Sequence, residues 1–542
     1  MTTTQINSAG IFAMTCTICP SPEVSAVAKY YLTTAIVYVN DAPGLHFVYE
    51  QIGADALARF HRQRGDDVFF LTGTDENGTK IDRAAKAKGE NTRAFVDRLA
   101  DRYREVAKLY DISYDRFIRT TDPDHVEGVQ WFVRRWIENG DVYEATYEGL
   151  YCVSCEAFYE ESDLVDGKCP IHTPRETIER LSEKNYFFRL SKYQRALEDL
   201  YRTNPDFCVP DFRRNEVLGW IQRGLKDISV SRRGLGWGIP WPGDPDQTVY
   251  VWFDALINYV TGVGFGTDDA RFDRYWPADV HVIGKDITRF HCIYWPAMLL
   301  AAGVALPKKV HVHGFLQYRG QRLSKTTGNM IDPFAAAQEW GADALRYLLL
   351  RHVGFVNDVD VSPEIFTARY NADLANNLGN LVQRTIAMIG RYREGRIPEP
   401  RSGGGSELRA VAQRVVRAHD EAASRLAFDE ALAAVFDLVD ATNQHYDRTK
   451  PWTLARNGTP EEVDDALYNA AEALRLIAQL LWPYLPQTAT KIATALNAKA
   501  PGPGTAEHWQ RESTWGRLLP GNPLRPSAPL FPRIETGEKV AT

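Results

Sequence analysis

Four residues in one short stretch, Cys152, Cys155, Cys169 and His172, are spaced as two close pairs of soft ligands, Cys-x2-Cys and Cys-x2-His. Such pairs converge on one tetrahedral ion without stretching the chain. With no fifth candidate to leave a position open, the chemistry they predict is a single structural Zn²⁺. A second stretch, GQRLSKTTGN at 320–329, sets Arg322 and Lys325 on a glycine-flanked loop. A cation there can swing onto the phosphates of a nucleotide as charge develops, and Lys325 is the better placed. A third set is scattered: Ile36 and Tyr38, then Asp75, then Trp252, Leu256 and Tyr259 in VWFDALINY, then Phe290 and His291 in GKDITRFHCIYW. Aromatic groups near strand ends can line a slot for a flexible apolar side chain, and a thioether sulfur packs well against ring edges. A carboxylate such as Asp75 can hold an ammonium group, so slot and carboxylate together suit an amino acid. Taken singly, each aromatic reads first as core, and His291 as a satisfied buried imidazole.

The elements that must position these groups follow from periodicity. From Tyr30 to Asn40, YYLTTAIVYVN is β-branched and aromatic and predicts a buried strand. After the turn DAPGLH, the run FVYEQIGADALARFHRQRG places Ile52, Ala56 and Phe60 at helical spacing and stops at Gly65. DVFFLTGTDENG predicts a second strand ending in a glycine-bearing turn. Strand, helix, strand is the opening half of a doubly wound parallel sheet of Rossmann type. A Cys-rich insert at 140–190 breaks the rhythm, which resumes with VHVIGKD (280–286) and KVHVHGF (309–315) as strands around a helix holding Trp295 and Met298. Beyond Pro333 the pattern is helical, near 363–394, 407–449 and 460–499, with IPEPRSGGG (397–405) as a flexible connection. The expected fold class is therefore α/β. An extension at 1–28 precedes a doubly wound domain in halves, 29–139 and 191–333, around a zinc-knuckle insertion at 140–190; a segment at 334–360 then leads to a helical bundle at 361–542.

At 542 residues, with 44% hydrophobic and 25% charged, the chain is long enough for several independent cores and ordinary in composition. No apolar run is long enough to span a bilayer, and the first basic residue is Lys29, so a secretory leader is not expected. Seven cysteines, three of them clustered, suit a reducing cytoplasm with one metal site better than a disulfide framework. A net charge of −7 neither favours a nucleic-acid partner nor excludes one, because a basic strip can sit on an acidic whole.

The stretches YYLTTAIVYVNDAP, FLTGTDENGTK, YCVSCEAFY, VWFDALINYV, IGKDITRFH, HGFLQYRGQRLSKTTGN, LGNLVQR, KPW and LFPRIE run in order from about Lys29 to Glu535. Together they resemble the methionyl-tRNA synthetase family in its bacterial form with one zinc knuckle. The resemblance implies activation of methionine with ATP and Mg²⁺ to an adenylate, followed by transfer to the terminal adenosine of methionine tRNA. It makes RLSKT at 322–326 the swinging loop, with Arg322 and Lys325 catalytic and Ser324, Lys325 and Thr326 at the ATP. It makes Ile36, Tyr38, Asp75, Trp252, Leu256, Tyr259, Phe290 and His291 the methionine pocket. Segment 334–360 becomes a stem contact and the bundle an anticodon-binding domain, with Asn380, Arg384 and Trp452 at the anticodon. Asn380 and Arg384, four apart, share a helix face, with Arg391 further along the same side. A tryptophan can stack on an unpaired base while Asn and Arg bond its edges.

One motif departs from the family. Its members carry His-x-Gly-His after the first strand, at the N-terminus of the next helix, where the helix end already favours leaving phosphate. Here Pro43 is followed by Gly44-Leu45-His46-Phe47, so Gly44 and Phe47 hold the two imidazole positions and His46 the glycine position. Losing one such transition-state contact typically costs about 10²–10³ in rate. Three outcomes stay open: His46 does part of the missing work as a catalytic group; adenylation is severely slowed, with His46 and Phe47 filling adenine or phosphate space; or a sequencing alteration is confined to these residues. Three functions are weighed accordingly. The first is a methionine-tRNA ligase; the second, a paralogue that binds tRNA or amino acid without turnover; the third, a ligase that activates an amino acid outside translation. The chain ends shortly after LFPRIE, so no appended C-terminal tRNA-binding module is expected, and a cytoplasmic monomer is.

Overall fold

The computed structural model describes residues 27–152, 157–159, 161, 164–169, 178–234, 236–323, 331–352, 355–401 and 406–535. The extension at 1–28 therefore lies outside the described residues except for its last two. Strand β1 (Lys29–Thr34) begins where the β-branched run begins, and β2 (Val37–Tyr38) follows it. Helix α1 (Leu45–Gln63) leads into β3 (Asp67–Asp75) across Gly65, whose φ of +94° suits a residue without a Cβ. After helix α2 (Thr92–Leu109) comes β4 (Arg116–Arg119).

The 140–190 stretch forms an antiparallel ribbon. Strand β5 (Val142–Cys152) pairs with β6 (Ala157–Tyr159), and then with β7 (Glu179–Phe188) from Val142↔Phe188 to Tyr151↔Glu179. The parallel sheet resumes with β8 (Cys208–Val209), β9 (Val280–Gly284), helix α3 (Trp295–Ala302) and β10 (Val310–His313). Spatial order is β2-β3-β1-β9-β10-β8, with β4 on β3, and every pairing is parallel.

Parallel strands are covered on both faces, and the side chains show it. Leu32, Phe70 and Val282 enter the core that contains α1 and the helical region, whereas their neighbours Tyr31, Leu71 and Ile283 enter the core on the other side. A period of two along a doubly buried strand is what turns one apolar run into two cores.

The helical region differs from expectation in three places. The run expected as one helix at 407–449 is two, α5 (Ser406–Ser424) and α6 (Phe428–Thr449) after α4 (Asn380–Tyr392), because Leu426 turns the chain with φ +60°. The 460–499 stretch likewise divides into Pro460–Leu481 and Pro486–Ala495; Pro486 begins the second helix and cannot donate a backbone bond within the first. The 397–405 connection is not loose at its start: Ile397 is 2% exposed and its N–H donates to the Asn522 carbonyl at 2.9 Å. Residues 402–405 lie outside the described set.

Candidate active site at the carboxyl ends of the strands

The chain leaves β1 toward β3 on one side and returns on the other as β9, so the strand order reverses between β1 and β9. A crevice opens outside the strand ends at such a reversal. Ile36 lies just past β1, Asp75 is the last residue of β3 in register with Tyr38, and Lys285-Asp286 follow β9. Trp252 and Leu256 sit on the short helix Val251–Leu256 and Tyr259 on the next turn, while Phe290 and His291 occupy the wide helical turn Phe290–Tyr294 before α3.

These residues assemble in two layers. At the rim, the half-buried Trp252 and Phe290 rings stack with centroids 3.9 Å apart and planes 14° apart. Below them the Tyr259 hydroxyl donates to His291 Nε2 at 2.6 Å. His291 Nδ1 donates to the Ile287 carbonyl at 3.0 Å, which leaves Nε2 as the acceptor in the neutral ring. Burial holds the His291 pKa down at about 4 and pushes the Tyr259 phenol well up, aided by the charge of Glu50. The inner wall is therefore uncharged at neutral pH. Asp75, 6% exposed, is the carboxylate among the expected pocket residues.

Two further groups were not singled out from sequence. Glu50, one turn into α1, lies 3.0 Å through Oε2 from His313 Nε2 at the end of β10, and His313 Nδ1 donates to the Gly314 carbonyl at 2.8 Å. Burial raises the Glu50 carboxyl, and the His313 contact opposes that rise. His281, fully buried on β9, stacks under Tyr259. The histidines of VHVIG and VHVHG were the available signal, but their positions along a strand do not say which face meets a ligand.

At the other end of the crevice, Gly44 caps α1 in extended conformation with no side-chain cap, and the first turn carries no acidic residue. His46 is exposed. Phe47, expected at the ATP and in adenine or phosphate space, is 4% exposed and packs edge-on against Tyr103 of α2 at 4.9 Å. Its ring is one of the buried side chains of the core that contains α1. Pro43 and Gly44 are buried at the same turn. The hairpin that precedes residue 324, Leu316–Tyr318 with Gln321–Arg322, turns at Arg319 and Gly320, both with positive φ. Ser324, Lys325 and Thr326 lie outside the described residues, and Arg322 is described through its backbone.

On the bundle, Arg384 donates to the Asn443 side-chain oxygen and lies 4.7 Å over the Tyr446 ring, both on α6. Asn380 donates to the Asn376 carbonyl at 2.9 Å, and half-buried Trp452 opens the helix Pro451–Asn457 just beyond α6. Of the zinc candidates, Cys152 and Cys169 are buried, whereas Cys155 and His172 lie outside the described residues.

A family model described as tRNA synthetases class I (M) matches residues 30–181 and 175–386. With the doubly wound sheet and crevice already described, the chain is a class I aminoacyl-tRNA synthetase by fold and by sequence. A methionine–tRNA ligase of Caldanaerobacter subterraneus subsp. tengcongensis is 44% identical over 522 residues, covering 95% of this chain and 80% of that protein. One of Streptomyces coelicolor is 41% identical and covers 95% and 98% respectively. The Mycobacterium tuberculosis methionyl-tRNA synthetase in complex with methionyl-adenylate superposes with a TM-score of 0.89 at 41% identity, over 94% of this chain and 100% of that one. The chain belongs to the methionyl-tRNA synthetase family.

Proposed function

We propose that this chain is a methionine–tRNA ligase, joining methionine to ATP as methionyl-adenylate and passing the methionyl group to methionine tRNA. The observation that carries the reading is the closed, uncharged wall of Tyr259 and His291 beneath the Trp252–Phe290 stack, with Asp75 at the end of a neighbouring strand. A thioether side chain loses no hydrogen bond on entering such a space, and soft sulfur gains from the ring edges. Asp75 takes the ammonium group. ATP then lies between the 43–47 turn and the 322–326 loop, with Arg322 and Lys325 drawing charge off the departing pyrophosphate and Mg²⁺ accompanying the triphosphate.

With Phe47 in the core, His46 is the imidazole left on the exposed side of the turn, and adenylation runs slower than in a relative with both histidines. Cys152, Cys155, Cys169 and His172 hold a structural Zn²⁺. Supporting this, Cys152 ends a strand that hairpins back at Ala157, and Cys169 follows the tight turn Val165–Lys168, so each thiol sits at a knuckle. Asn380, Arg384 and Trp452 read the anticodon bases. The setting is cytoplasmic and the state monomeric; no helix among the described residues is long and apolar enough to cross a membrane.

Pyrophosphate exchange dependent on methionine, followed by charging of methionine tRNA, tests the reading. Exchange with a different amino acid would sink it. A protein that binds methionine tRNA but forms no adenylate with any amino acid would be the non-catalytic paralogue instead, a role that the altered turn makes the chief alternative.

A further inference from the structure

Part-way along α1, one buried side chain ties the helix to two neighbouring strands of the sheet. Gln51, 1% exposed, donates from Nε2 to Thr34 Oγ1 at 3.0 Å and to Thr72 Oγ1 at 2.9 Å, and the Thr34 hydroxyl donates to Thr72 Oγ1 at 2.7 Å. Both threonines are fully buried. The pairing of β1 with β3 runs from Lys29↔Asp67 to Thr33↔Leu71, so Thr34 and Thr72 stand one step beyond it and side chains continue the tie. Two residues past Thr34 the chain reaches Ile36, and three past Thr72 it reaches Asp75. On the other side of the helix, Gly53 lies about 200° around the axis from Gln51. A Cβ there would stand 2.1 Å from the Phe355 ring, so the missing side chain lets that ring press on α1. The helix is thus held between a hydroxyl fork on the sheet side and an aromatic ring behind it.

We infer that Gln51 is a positioning residue for adenylation: it sets where the 43–47 turn at the head of α1 stands relative to the strand ends that carry Ile36 and Asp75. Gln51 lies six residues past Leu45, about 9 Å along the helix axis, so a slip at the amide is carried to the turn. Joining an amino acid to a nucleotide needs the two held in line, and a misplacement of about 1 Å can cost on the order of 10²-fold in rate. Without the amide, methionine keeps its slot, because β1 and β3 keep their backbone ladder. What it loses is its register with the nucleotide. The inference rests on the adenylation reading and deepens it.

Methionine-dependent pyrophosphate exchange and calorimetric titration of methionine, both on the full chain, separate a positioning role from a structural one. Two variants keep side-chain volume while cutting the tie. Gln51→Met keeps the length of the side chain but loses both donors, and Thr72→Val keeps the branched shape but loses the shared acceptor. Gln51→Met should lower the exchange kcat roughly tenfold while leaving methionine affinity within about twofold. Thr72→Val should lower kcat by a smaller factor, about threefold, and carries the test if Gln51→Met does not fold. The two changes together should cost little more than Gln51→Met alone, because both cut the same tie. An unchanged kcat, with or without a lower melting midpoint, or a matching loss of methionine affinity, would leave Gln51 a purely structural role and overturn the inference. Wild-type protein without methionine-dependent exchange would remove the ligase reading itself, and this inference with it; a failure confined to the variants touches the inference alone.

Discussion

In one crevice, two ends are built by opposite means. On the pocket side, ring nitrogens and hydroxyls are paired with one another: Tyr259 with His291, His281 with Thr33 and Trp295. Position there comes from side chains wedged between strands, and no single residue acts alone. On the side proposed for the phosphates, the 43–47 turn offers a helix N-terminus capped by a glycine, a buried Phe47 and an exposed His46. Few groups share the work, so each substitution there acts nearly in full. A network spreads the cost of one change over several contacts and a sparse turn does not, so on the proposed reading the 43–47 turn is where a substitution acts most directly.

The sharpest way to break this comparison is to repair the sparse end. Gly44→His with His46→Gly should raise methionine-dependent pyrophosphate exchange by about 10²–10³ and leave methionine affinity unchanged. If exchange does not move, the turn is not the weak end. Next in size is an acid effect that belongs to the networked end. His291 takes up a proton at about 4 in the folded protein because of burial, against an ordinary value of 6.5. A depressed folded pKa means that the unfolded chain binds the proton first, so the stability this imidazole contributes is complete above about pH 6.5 and is lost as pH falls toward 4. His281, also depressed by burial and by His291, adds loss of the same sign. On the order of 3 kcal/mol should disappear through His291 over that window. Urea midpoints against pH should therefore fall less steeply for His291→Gln than for the wild type, and parallel curves would show that the ring is not shielded.

The same contrast explains what could be read from sequence. The YYLTT and VHVIG runs predicted buried parallel strands because a doubly covered strand has no polar face to confuse the pattern. Of the aromatics proposed from sequence as one set, the structure brings Trp252 to Phe290 and Tyr259 to His291. The packing of Phe47 on Tyr103 was not legible, because position in a motif says nothing about which way a side chain turns, and Tyr103 lies on α2, more than forty residues along the chain. His281 and the Glu50–His313 pair were invisible for a related reason. Their partners lie on strands far apart in the chain, and only the sheet order makes them neighbours. The break at Leu426 escaped because it depends on one backbone angle that leucine seldom adopts.

A third change tests the core packing of Phe47. Phe47→His introduces a polar ring against Tyr103 at a site 4% exposed, and should cost about 2–4 kcal/mol of stability. Added to the Gly44→His, His46→Gly protein, it should lower the melting midpoint without the further gain in exchange that a second phosphate contact would bring. A second rise in rate of similar size would mean that the ring at 47 can reach the phosphates after all.

The smallest effect tests whether a single loss at the networked end stays confined to the amino-acid side. Tyr259→Phe removes only the hydroxyl that donates to His291 Nε2 at 2.6 Å. His291 keeps its bond to the Ile287 carbonyl, and the ring at 259 keeps its stack on His281. What remains is one buried acceptor without a donor, worth about 1–2 kcal/mol. Methionine affinity should fall by about five- to thirtyfold and ATP affinity by nothing measurable in calorimetric titrations of each ligand. Set beside His46→Ala, which should change the ATP titration and not the methionine one, the pair forms a crossed test. Should either variant disturb both ligands equally, the two ends are mechanically one site, and the contrast between a networked wall and a sparse turn fails.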